Sequence, residues 1–526
     1  MGVGRKRMVR LQLMMLLAFQ LVSASFFMTS SAAAGVQFQT MKVIPLAATQ
    51  QPRPQTQRPA AIPSDATEDP ATAAIELDFL NIHVDTLTPA ELNDLDHEAL
   101  FHKRMKSDAA RARALSMQAK RAAAAGGGGS AITGDAVSGA SLGILNYFTS
   151  VWVGTPSPQK ASLILDTGSD LIWMQCRPCK NCYKQKDPIF NPVQSRSYAD
   201  LGCDDPSCQL LIPDGASTGC ATQHSQRSNI KTTTSRQTNS TVKVCPYRYR
   251  YGDGSTTFGH LFKDTLMLGG SKVNISLGCG VNNTGLFGGT AGLLGLGRGK
   301  YSFPGQLAAA GGRYLTYSQK FSVCLPSDSR LKSTIVFGDS EEVKPSKNAT
   351  STPLLKNPFM DTFYYLQLEG ISVAGERVPG VESSLFKLNA TGDGGLIIDS
   401  GTVLTRLNPI AYNRMRDAFR NAARNLTLLT PSKGDLFDTC YSLAGFKEDD
   451  TLEVPTVTMH FKGADVALDG LNYMIGMNVN GTAAICFAFL PSDDSFNIFG
   501  NMQHLNFRVT YDVQNSKVVF DPDRCS

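Results

Sequence analysis

Two short stretches decide the fold, Leu163-Ile164-Leu165-Asp166-Thr167-Gly168-Ser169 and Leu396-Ile397-Ile398-Asp399-Ser400-Gly401-Thr402. Each has three aliphatic residues, an aspartate, a hydroxyl residue, a glycine and a second hydroxyl residue, and the copies lie 233 residues apart. A second pair of similar segments, 291–296 and 497–501, follows them, and each places two apolar residues before a glycine. Because two motifs recur in the same order, two duplicated lobes are the simplest explanation.

Each copy of the motif is suited to holding a buried carboxylate. The aliphatic strand delivers its aspartate into a dry interior, where an ionised side chain is costly unless it accepts hydrogen bonds. The glycine permits a tight turn whose backbone N–H groups point at the carboxylate, and the second hydroxyl residue can donate to the outer oxygen. The glycines are Gly168 and Gly401, and the hydroxyl residues are Ser169 and Thr402.

The two copies are also suited to meeting across a two-fold axis. Thr167 and Ser400 are placed to hydrogen-bond to the opposite turn and lock the copies together. Asp166 and Asp399 would then meet, and two carboxylates so close share one proton because both cannot ionise. One would act as a base on a water molecule, and the other as an acid on a substrate carbonyl.

The composition is that of a globular chain. Of 526 residues, 42% are hydrophobic and 18% are charged, which excludes a mostly disordered protein. The formal charge of +5 is small for this length and does not indicate nucleic-acid binding. From Tyr147 onward, glycines punctuate short runs of β-type residues. These runs, with few helical patterns between them, predict an all-β fold.

Residues 1–34 have the pattern of a secretory signal peptide. Basic residues precede an apolar run over 11–22, and small residues follow it. We expect delivery through the secretory pathway to the extracellular space or apoplast, with the vacuole as the alternative destination. An uncleaved signal anchor is the competing interpretation. No later stretch reaches the ~20 apolar residues that span a bilayer.

Residues 35–142 are interpreted as a propeptide. The stretch from 35 to about 75, rich in Pro, Gln, Ala and Thr, is typical of a flexible segment. Thr88 as N-cap and Glu91 as its capping-box partner predict a helix that runs to about Arg121. This helix is acidic first and basic later, and a glycine-rich linker follows it. It either docks on an acidic cleft at neutral pH or is a solvated charged helix of no special role.

The paired motifs resemble the catalytic triplets of pepsin-like aspartic endopeptidases, and residues 143–526 most resemble the nepenthesin-like plant branch. The resemblance implies a bilobed, pepsin-like double β-barrel with pseudo-two-fold symmetry. A cleft would separate an N-terminal lobe, 143–350, from a C-terminal lobe, 351–526. Asp166 and Asp399 would be the catalytic pair, with water as the nucleophile and no cofactor. The seven histidines include no HExxH pair, so no metal site is expected.

Two aromatic residues match the flap that covers the cleft in this family. The stretch 251–255, Tyr-Gly-Asp-Gly-Ser, resembles the flap hairpin, and Trp173 resembles the tryptophan that bonds the flap tyrosine. The alternative is that Trp173 and Tyr251 are plain core aromatics. The residues that the resemblance assigns to the flap and substrate binding are Tyr251, Gly252, Asp253 and Trp173.

Twelve cysteines, an even number, suit an oxidising compartment. The spacing of Cys176, Cys179 and Cys182 leaves a metal or iron–sulfur site open, although disulfides fit a secreted chain better. The stretch 203–245 resembles the cysteine-rich insertion of nepenthesin-like enzymes. The pairings that the resemblance implies are Cys179–Cys182, Cys176–Cys279, Cys203–Cys245, Cys208–Cys220, Cys440–Cys486 and Cys324–Cys525.

Seven N-x-S/T sequons, all after the predicted propeptide, predict a glycosylated surface. They are at Asn239, Asn274, Asn282, Asn348, Asn389, Asn425 and Asn480. We expect a monomer whose partners are a polypeptide substrate in the cleft and its own propeptide. We expect no nucleic-acid partner and, after signal cleavage, no membrane.

Together these features predict a secreted aspartic endopeptidase, made as a zymogen, that acts at acidic pH. The first alternative is a non-catalytic extracellular inhibitor or binding protein of the same fold. The second is a nucleic-acid or membrane-surface binder that uses the basic helix at Lys103–Arg121. One departure from the family pattern is Gln503-His504, which stands in place of a Gln-Gln pair.

Overall fold

The structure is a computed structural model whose described residues are 37–42, 75–79, 97–124, 147–205, 208, 221–224, 241–251, 255–285, 287–310, 319–327, 333–431, 435–447 and 450–525. The predicted signal peptide, the capping box at Thr88 and Glu91 and the glycine-rich linker lie outside these ranges. Within them, no helix combines the length and the apolar character needed to cross a membrane.

Strands dominate the described chain. The elements before residue 143 are β1 (Phe38–Lys42), β2 (Ile75–Phe79) and the helix α1 (His97–Ala124). The strands of the first half are β3 (Phe148–Val153), β4 (Gln159–Asp166), β5 (Trp173–Gln175), β6 (Ala199–Asp200), β7 (Ala221–His224), β8 (Thr241–Val244), β9 (Pro246–Arg250), β10 (Thr256–Leu268), β11 (Ser271–Thr284), β12 (Gly292–Gly295), β13 (Lys320–Cys324), β14 (Ser333–Phe337) and β15 (Thr350–Pro353), and α2 is Phe303–Ala309. The strands of the second half are β16 (Tyr365–Leu366), β17 (Leu368–Val373), β18 (Glu376–Arg377), β19 (Leu396–Asp399), β20 (Thr405–Leu407), β21 (Leu428–Leu429), β22 (Cys440–Ser442), β23 (Thr451–Pro455), β24 (Val457–Phe461), β25 (Ala464–Leu468), β26 (Met474–Val479), β27 (Thr482–Phe487), β28 (Phe489–Pro491), β29 (Asn497–Gly500), β30 (Arg508–Asp512) and β31 (Lys517–Asp521), and the helices are α3 (Pro409–Ala422) and α4 (Gly470–Tyr473).

The N-terminal half closes into a barrel. Its strands follow the order β11-β5-β12-β4-β3-β10, and β10 pairs again with β11 to complete the circuit. The central strand β4 is buried along its whole inner part, from Ala161 to Asp166. This fits its sequence, because a strand covered on both faces reads as a continuous apolar run rather than an alternating one.

The C-terminal half repeats this arrangement. Its path β16-β19-β29-β20-β28 matches β3-β4-β12-β5-β11 strand for strand, including which pairs are parallel. Two four-stranded sheets, β18-β17-β24-β25 and β21-β22-β27-β26, belong to the same half. The duplication inferred from two motifs is therefore a duplication of five strands. The predicted all-β, bilobed fold is confirmed.

Strands from outside the two barrels extend the sheets. A six-stranded sheet, β15-β31-β30-β13-β14-β2, ends in β2, and β1 pairs antiparallel with β23 of the C-terminal half. The expectation of a flexible segment from 35 to about 75 is therefore wrong at β1, where Met41 is buried. Its hydrogen bonds come from a partner strand distant in sequence, and composition does not reveal such a partner.

Four predicted disulfides are present, namely Cys176–Cys279, Cys179–Cys182, Cys324–Cys525 and Cys440–Cys486. The other two predicted pairings, Cys203–Cys245 and Cys208–Cys220, are wrong, because Cys245 is bonded to Cys208. Cys208 and Cys245 are buried in the same apolar cluster with Cα atoms 5.6 Å apart, whereas Cys203 is only half-buried. Cys203 is also disulfide-bonded, and Cys220 lies outside the described residues.

Candidate active site

The two predicted aspartates end equivalent strands. Asp166 is the last residue of β4, and Asp399 is the last residue of β19. Each of these strands pairs in parallel with a strand that ends in glycine, so that Gly295 stands opposite Asp166 and Gly500 opposite Asp399. Both aspartates are buried, with 1% and 0% of their surface exposed. The second pair of sequence motifs is thus the pair of strands that supports the aspartates.

Each carboxylate is held by its own turn. The backbone N–H of Gly168 donates to one oxygen of Asp166 at 3.0 Å, and the hydroxyl of Ser169 donates to the other at 2.6 Å. The second turn has the same two contacts at the same distances. Its residues are Asp399, Gly401 and Thr402. We call the carboxylate oxygens bound by the glycines the inner oxygens and those bound by the hydroxyls the outer oxygens.

The two turns are joined across the pseudo-two-fold axis. The backbone N–H of Ser400 donates to the hydroxyl of Thr167 at 2.8 Å, and the N–H of Thr167 donates to the hydroxyl of Ser400 at 3.2 Å. The turns approach so closely that a Cβ at Gly168 or Gly401 would lie 2.8 or 2.6 Å from an inner oxygen of the opposite lobe. Glycine is therefore required at both positions by space.

A guanidinium lies between the two carboxylates. Nη2 of Arg111, on α1, donates to the inner oxygen of Asp166 at 2.6 Å and to that of Asp399 at 3.0 Å. Its Nε donates to the outer oxygen of Asp399 at 2.9 Å and to Thr402 Oγ1 at 3.2 Å. The Arg111 side chain is 3% exposed, so this ion cluster is shielded from solvent.

Arg111 changes the proton affinity of the site. Burial by itself would raise the pKa of Asp399, but the Arg111 guanidinium and the hydrogen bonds from Thr402 and Gly401 hold that pKa below its usual range. The ion pair is therefore fully formed above the ordinary carboxylate pKa. It is lost as the pH falls through the lowered pKa of Asp399, because a protonated carboxyl no longer balances the guanidinium.

A second buried ion pair lies one helical turn away. The carboxylate of Asp108 accepts the backbone N–H of Val403 at 2.6 Å and Nη2 of Arg406 at 3.2 Å. Burial raises the pKa of Asp108, although Arg406 acts in the opposite direction. By the same linkage, Asp108 favours docking at low pH. The acid-sensitive contacts of α1 are those at Asp399 and at Asp494, whose pKa is lowered, against the effect of burial, by hydrogen bonds from Lys120 and Ser116.

The rest of α1 packs on the C-terminal half. Its buried residues recur at spacings of three and four, as expected for one helix face. They include Met105, Asp108, Arg111, Ala112, Leu115 and Ala119. Three of them, Ala112, Leu115 and Ala119, share a core cluster with Phe363 and Ile397. Farther along, Lys120 and Ser116 both contact Asp494, at 2.7 and 2.5 Å, and Arg113 pairs with Asp493.

The flap residues are described in part. Nε1 of Trp173 donates to the hydroxyl of Tyr251 at 2.7 Å, which is the bond that the family resemblance implies. Both rings are fully buried and lie against Phe287. They therefore belong to the core as well, so the two interpretations of these residues do not exclude each other. Gly252 and Asp253 lie outside the described residues.

Four residues of this region were not singled out from sequence: Asp108, Arg111, Val403 and Arg406. A signal for the first two was present, since a charged residue on the buried face of an amphipathic helix is exceptional unless it is paired.

Six predicted sequon asparagines lie on exposed positions, and Asn239 lies outside the described residues. Within the same ranges, no group of three or more His, Cys, Asp or Glu residues is arranged to hold a metal ion.

Comparison with known proteins agrees with this geometry. Residues 147–339 match the family model described as Xylanase inhibitor N-terminal, and residues 363–522 match the model described as Xylanase inhibitor C-terminal. Aspartyl protease family protein 2 of Arabidopsis thaliana is 44% identical over 84% of this chain and 84% of its own length. Aspartic proteinase nepenthesin-1 of Nepenthes gracilis is 38% identical over 72% of this chain and 78% of its own length.

Solved structures show the same fold at lower identity. The crystal structure of edgp has a TM-score of 0.54 and 21% identity, covering 72% of this chain and 91% of that one. The structure of Basic 7S globulin from soybean has a TM-score of 0.52 and 19% identity, covering 72% and 93%. With its duplicated five-strand arrangement and paired aspartate turns, the chain belongs to the nepenthesin-like plant branch of the pepsin-like aspartic protease family.

Proposed function

We propose that the chain is a secreted aspartic endopeptidase, made as a zymogen, that hydrolyses peptide bonds in proteins at acidic pH. The observation that carries the proposal is the convergence of two inner oxygens, one from Asp166 and one from Asp399, on the position of Arg111 Nη2. A water molecule in that position would contact both oxygens. The supporting hydrogen bonds come from the turns themselves, so they do not depend on the arginine.

The geometry supports a reaction that uses one water molecule and one shared proton. The ionised carboxylate takes a proton from the water while the water oxygen attacks the peptide carbonyl carbon. The protonated carboxyl donates its proton to the carbonyl oxygen, which gives a tetrahedral diol. Collapse of the diol breaks the C–N bond, and the nitrogen leaves after it receives a proton from the dyad. As the C–N bond breaks, one hydroxyl of the diol loses its proton to the dyad and becomes the carbonyl of the new carboxylic acid, so the dyad is again singly protonated.

In the zymogen, α1 blocks this reaction in two ways. Arg111 occupies the position of the water, and its charge keeps both carboxylates from sharing a proton. Acidification removes this block, because Asp399 then takes up a proton and its ion pair with Arg111 weakens. The released helix and its flanking segments are the expected sites of cleavage. The mature protease would act as a monomer on polypeptide substrates after passage through the secretory pathway.

The names of the matching family models favour a second candidate function. A non-catalytic extracellular inhibitor or binding protein of the same fold would also match models named for xylanase inhibitors. The intact pair of aspartate turns favours the protease, because a non-catalytic inhibitor does not need two buried carboxylates that each accept hydrogen bonds from their own turn.

Acid-triggered proteolysis tests the proposal. The secreted full chain is brought from pH 7 to about pH 3–4, where carboxyl groups titrate, and cleavage of a denatured protein is followed with and without pepstatin. We expect pepstatin-sensitive cleavage together with loss of the propeptide, and neither in an Asp166→Asn variant. Folded wild-type protein that cleaves nothing across this pH range, even after its propeptide is removed, would support the non-catalytic candidate instead.

A further inference from the structure

A carboxylate-binding position lies beside the candidate active site. It is formed by the backbone N–H of Val403 and the guanidinium of Arg406, both of which follow the Asp399 turn. Arg406 is the middle residue of β20. Both groups donate to the carboxylate of Asp108, which lies three residues before Arg111 on α1. The position therefore holds an anion one helical turn from the point where water would be activated.

Among the described residues of the two lobes, no acidic side chain forms an ion pair with Arg406. Its side chain is 9% exposed, and within the described residues its ion pair is with Asp108. Its Nε is buried and has no hydrogen-bond partner in the described part of the chain. The neighbours of Arg406 on the flanking strands are Leu490 and Ile498, neither of which carries a charge.

Other acidic groups near α1 are held elsewhere. Asp399 is bound by its own turn. Asp494 contacts Ser116, which is eight residues along the helix from Asp108 and thus about 12 Å away. Asp494 also accepts the backbone N–H of Phe496 at 2.8 Å, which fixes it in its loop. When α1 leaves, Arg406 consequently loses its described anion and gains no replacement from these groups.

We propose that Arg406 and the Val403 N–H form a substrate subsite that selects an aspartate or glutamate side chain near the scissile bond. The inference rests on the proposed protease function, in which the cleft opens when α1 departs. A buried guanidinium without an anion is costly, so a substrate carboxylate that replaces Asp108 is favoured over an amide of the same shape. Asp108 then acts in the zymogen as an internal mimic of the preferred substrate side chain.

The subsite is best tested where a free peptide carboxyl is ionised. A peptide aspartate has an ordinary pKa of about 3.9 and a glutamate about 4.3. At pH 5 most of these carboxyl groups are ionised in solution, so acidic and amide peptides are compared at that pH.

Paired peptides test the subsite. The acid-activated protein is given peptides that share one scissile sequence and differ only in Asp versus Asn, or Glu versus Gln, at each position within four residues of the bond. At pH 5 we expect kcat/KM to be about tenfold higher for the acid at one position, a difference of about 1.4 kcal/mol.

Variants identify the residue responsible. Arg406→Met should bring the acid-to-amide ratio of kcat/KM to about one. Arg406→Lys should retain part of the preference, since a lysine keeps the charge but lacks the paired N–H donors of the planar guanidinium. Arg414→Met is the matched control, because Arg414 is exposed on α3 and bonds the carbonyl of Pro379. A purely structural role for Arg406 would change rates for both members of each pair without changing their ratio.

Three results would overturn the subsite. One is a wild-type ratio near one at every position while the amide peptides are cleaved. Another is an unchanged ratio in Arg406→Met. The wild-type comparison needs no variant, so it can overturn the subsite even if Arg406→Met does not fold. Failure to cleave any peptide would overturn the protease function itself and the subsite with it, and is thereby distinguished from the first result.

Discussion

At the scale of single residues, Arg111 is the side chain that joins α1 to both aspartate turns. One guanidinium contacts carboxylates that lie 55 and 288 residues away in sequence, at 2.6 and 2.9 Å. The carboxylates with their hydroxyl and glycine donors were predictable from sequence, because those contacts lie within three residues of each aspartate. The partners of the arginine were not predictable, because they lie far away in sequence, and only its place on the buried face of α1 distinguishes it from the other basic residues of that helix.

Arg111→Met should weaken docking of α1. The change leaves two buried carboxylates without their cation, and loss of one partner of a buried pair costs about 3–5 kcal/mol. We expect propeptide loss to reach its midpoint at a higher pH than in the wild type, as followed by gel electrophoresis over a pH series. Arg113→Met is the control, since Arg113 is 61% exposed and pairs with an exposed Asp493. Equal midpoints for all three proteins would contradict the assignment.

His504→Gln should make the protein more stable in acid. Burial lowers the pKa of His504 to about 4, although the Phe499 carbonyl and Asp399 oppose this. Between pH 6.5 and 4 the unfolded chain therefore binds a proton that the folded chain does not, and stability falls by about 3 kcal/mol over this window. Glutamine does not titrate and can donate to the same carbonyl.

Urea unfolding of the wild type and of His504→Gln at pH 7 and pH 4 measures this difference. The variant should lose less free energy of unfolding between the two pH values than the wild type does. If both proteins lose the same amount, His504 does not remain neutral in the folded state.

At the scale of elements, the central strands were the most predictable part. The apolar runs that end in Asp166 and Asp399 indicated buried strands, and both strands are buried as observed. Short strands that depend on distant partners were not predictable, and β1 is the clearest case. The pairing of cysteines within 203–245 also failed, because the connectivity depends on which side chains face the interior rather than on their spacing.

Thiol labelling tests the corrected disulfide. In Cys208→Ala, Cys245 loses its partner, so peptide mapping after labelling of the unfolded, unreduced protein should find a free thiol at Cys245. In Cys203→Ala, Cys245 should stay oxidised. A labelled Cys245 in the Cys203 variant would show instead that the originally predicted pairing is correct.

At the scale of the whole molecule, the described parts of the segment before residue 143 contact the lobes at three places. β1 pairs with β23, β2 pairs with β14, and α1 covers the candidate active site. The lobes themselves were predictable, since duplicated motifs demand duplicated barrels. These three contacts were not predictable, because each joins two segments that are far apart in sequence, and a local sequence pattern does not reveal such a partner.

A single cut in the glycine-rich linker should therefore leave the protein inactive at pH 7. If a recognition site for a specific protease replaces residues 126–129, cleavage there separates the chain into two pieces that share three contacts. We expect the pieces to elute together in size-exclusion chromatography at pH 7 and to separate below the ordinary carboxylate pKa of about 3.9, with proteolytic activity appearing in the second condition. Activity at pH 7 directly after the cut would contradict this expectation.

In the proposed zymogen, the attachment of this segment at three places would make activation depend on two signals together, acid and cleavage. The three contacts of this segment reinforce one another. When one contact opens, the other two keep it close to its partner, so it forms again readily. A chain cut during transit through a neutral compartment would remain silent, and a chain exposed briefly to acid without a cut would close again on neutralisation. Only acid and cleavage together would release the segment irreversibly. Proteolysis would therefore begin only in an acidic compartment in which the chain is also cut.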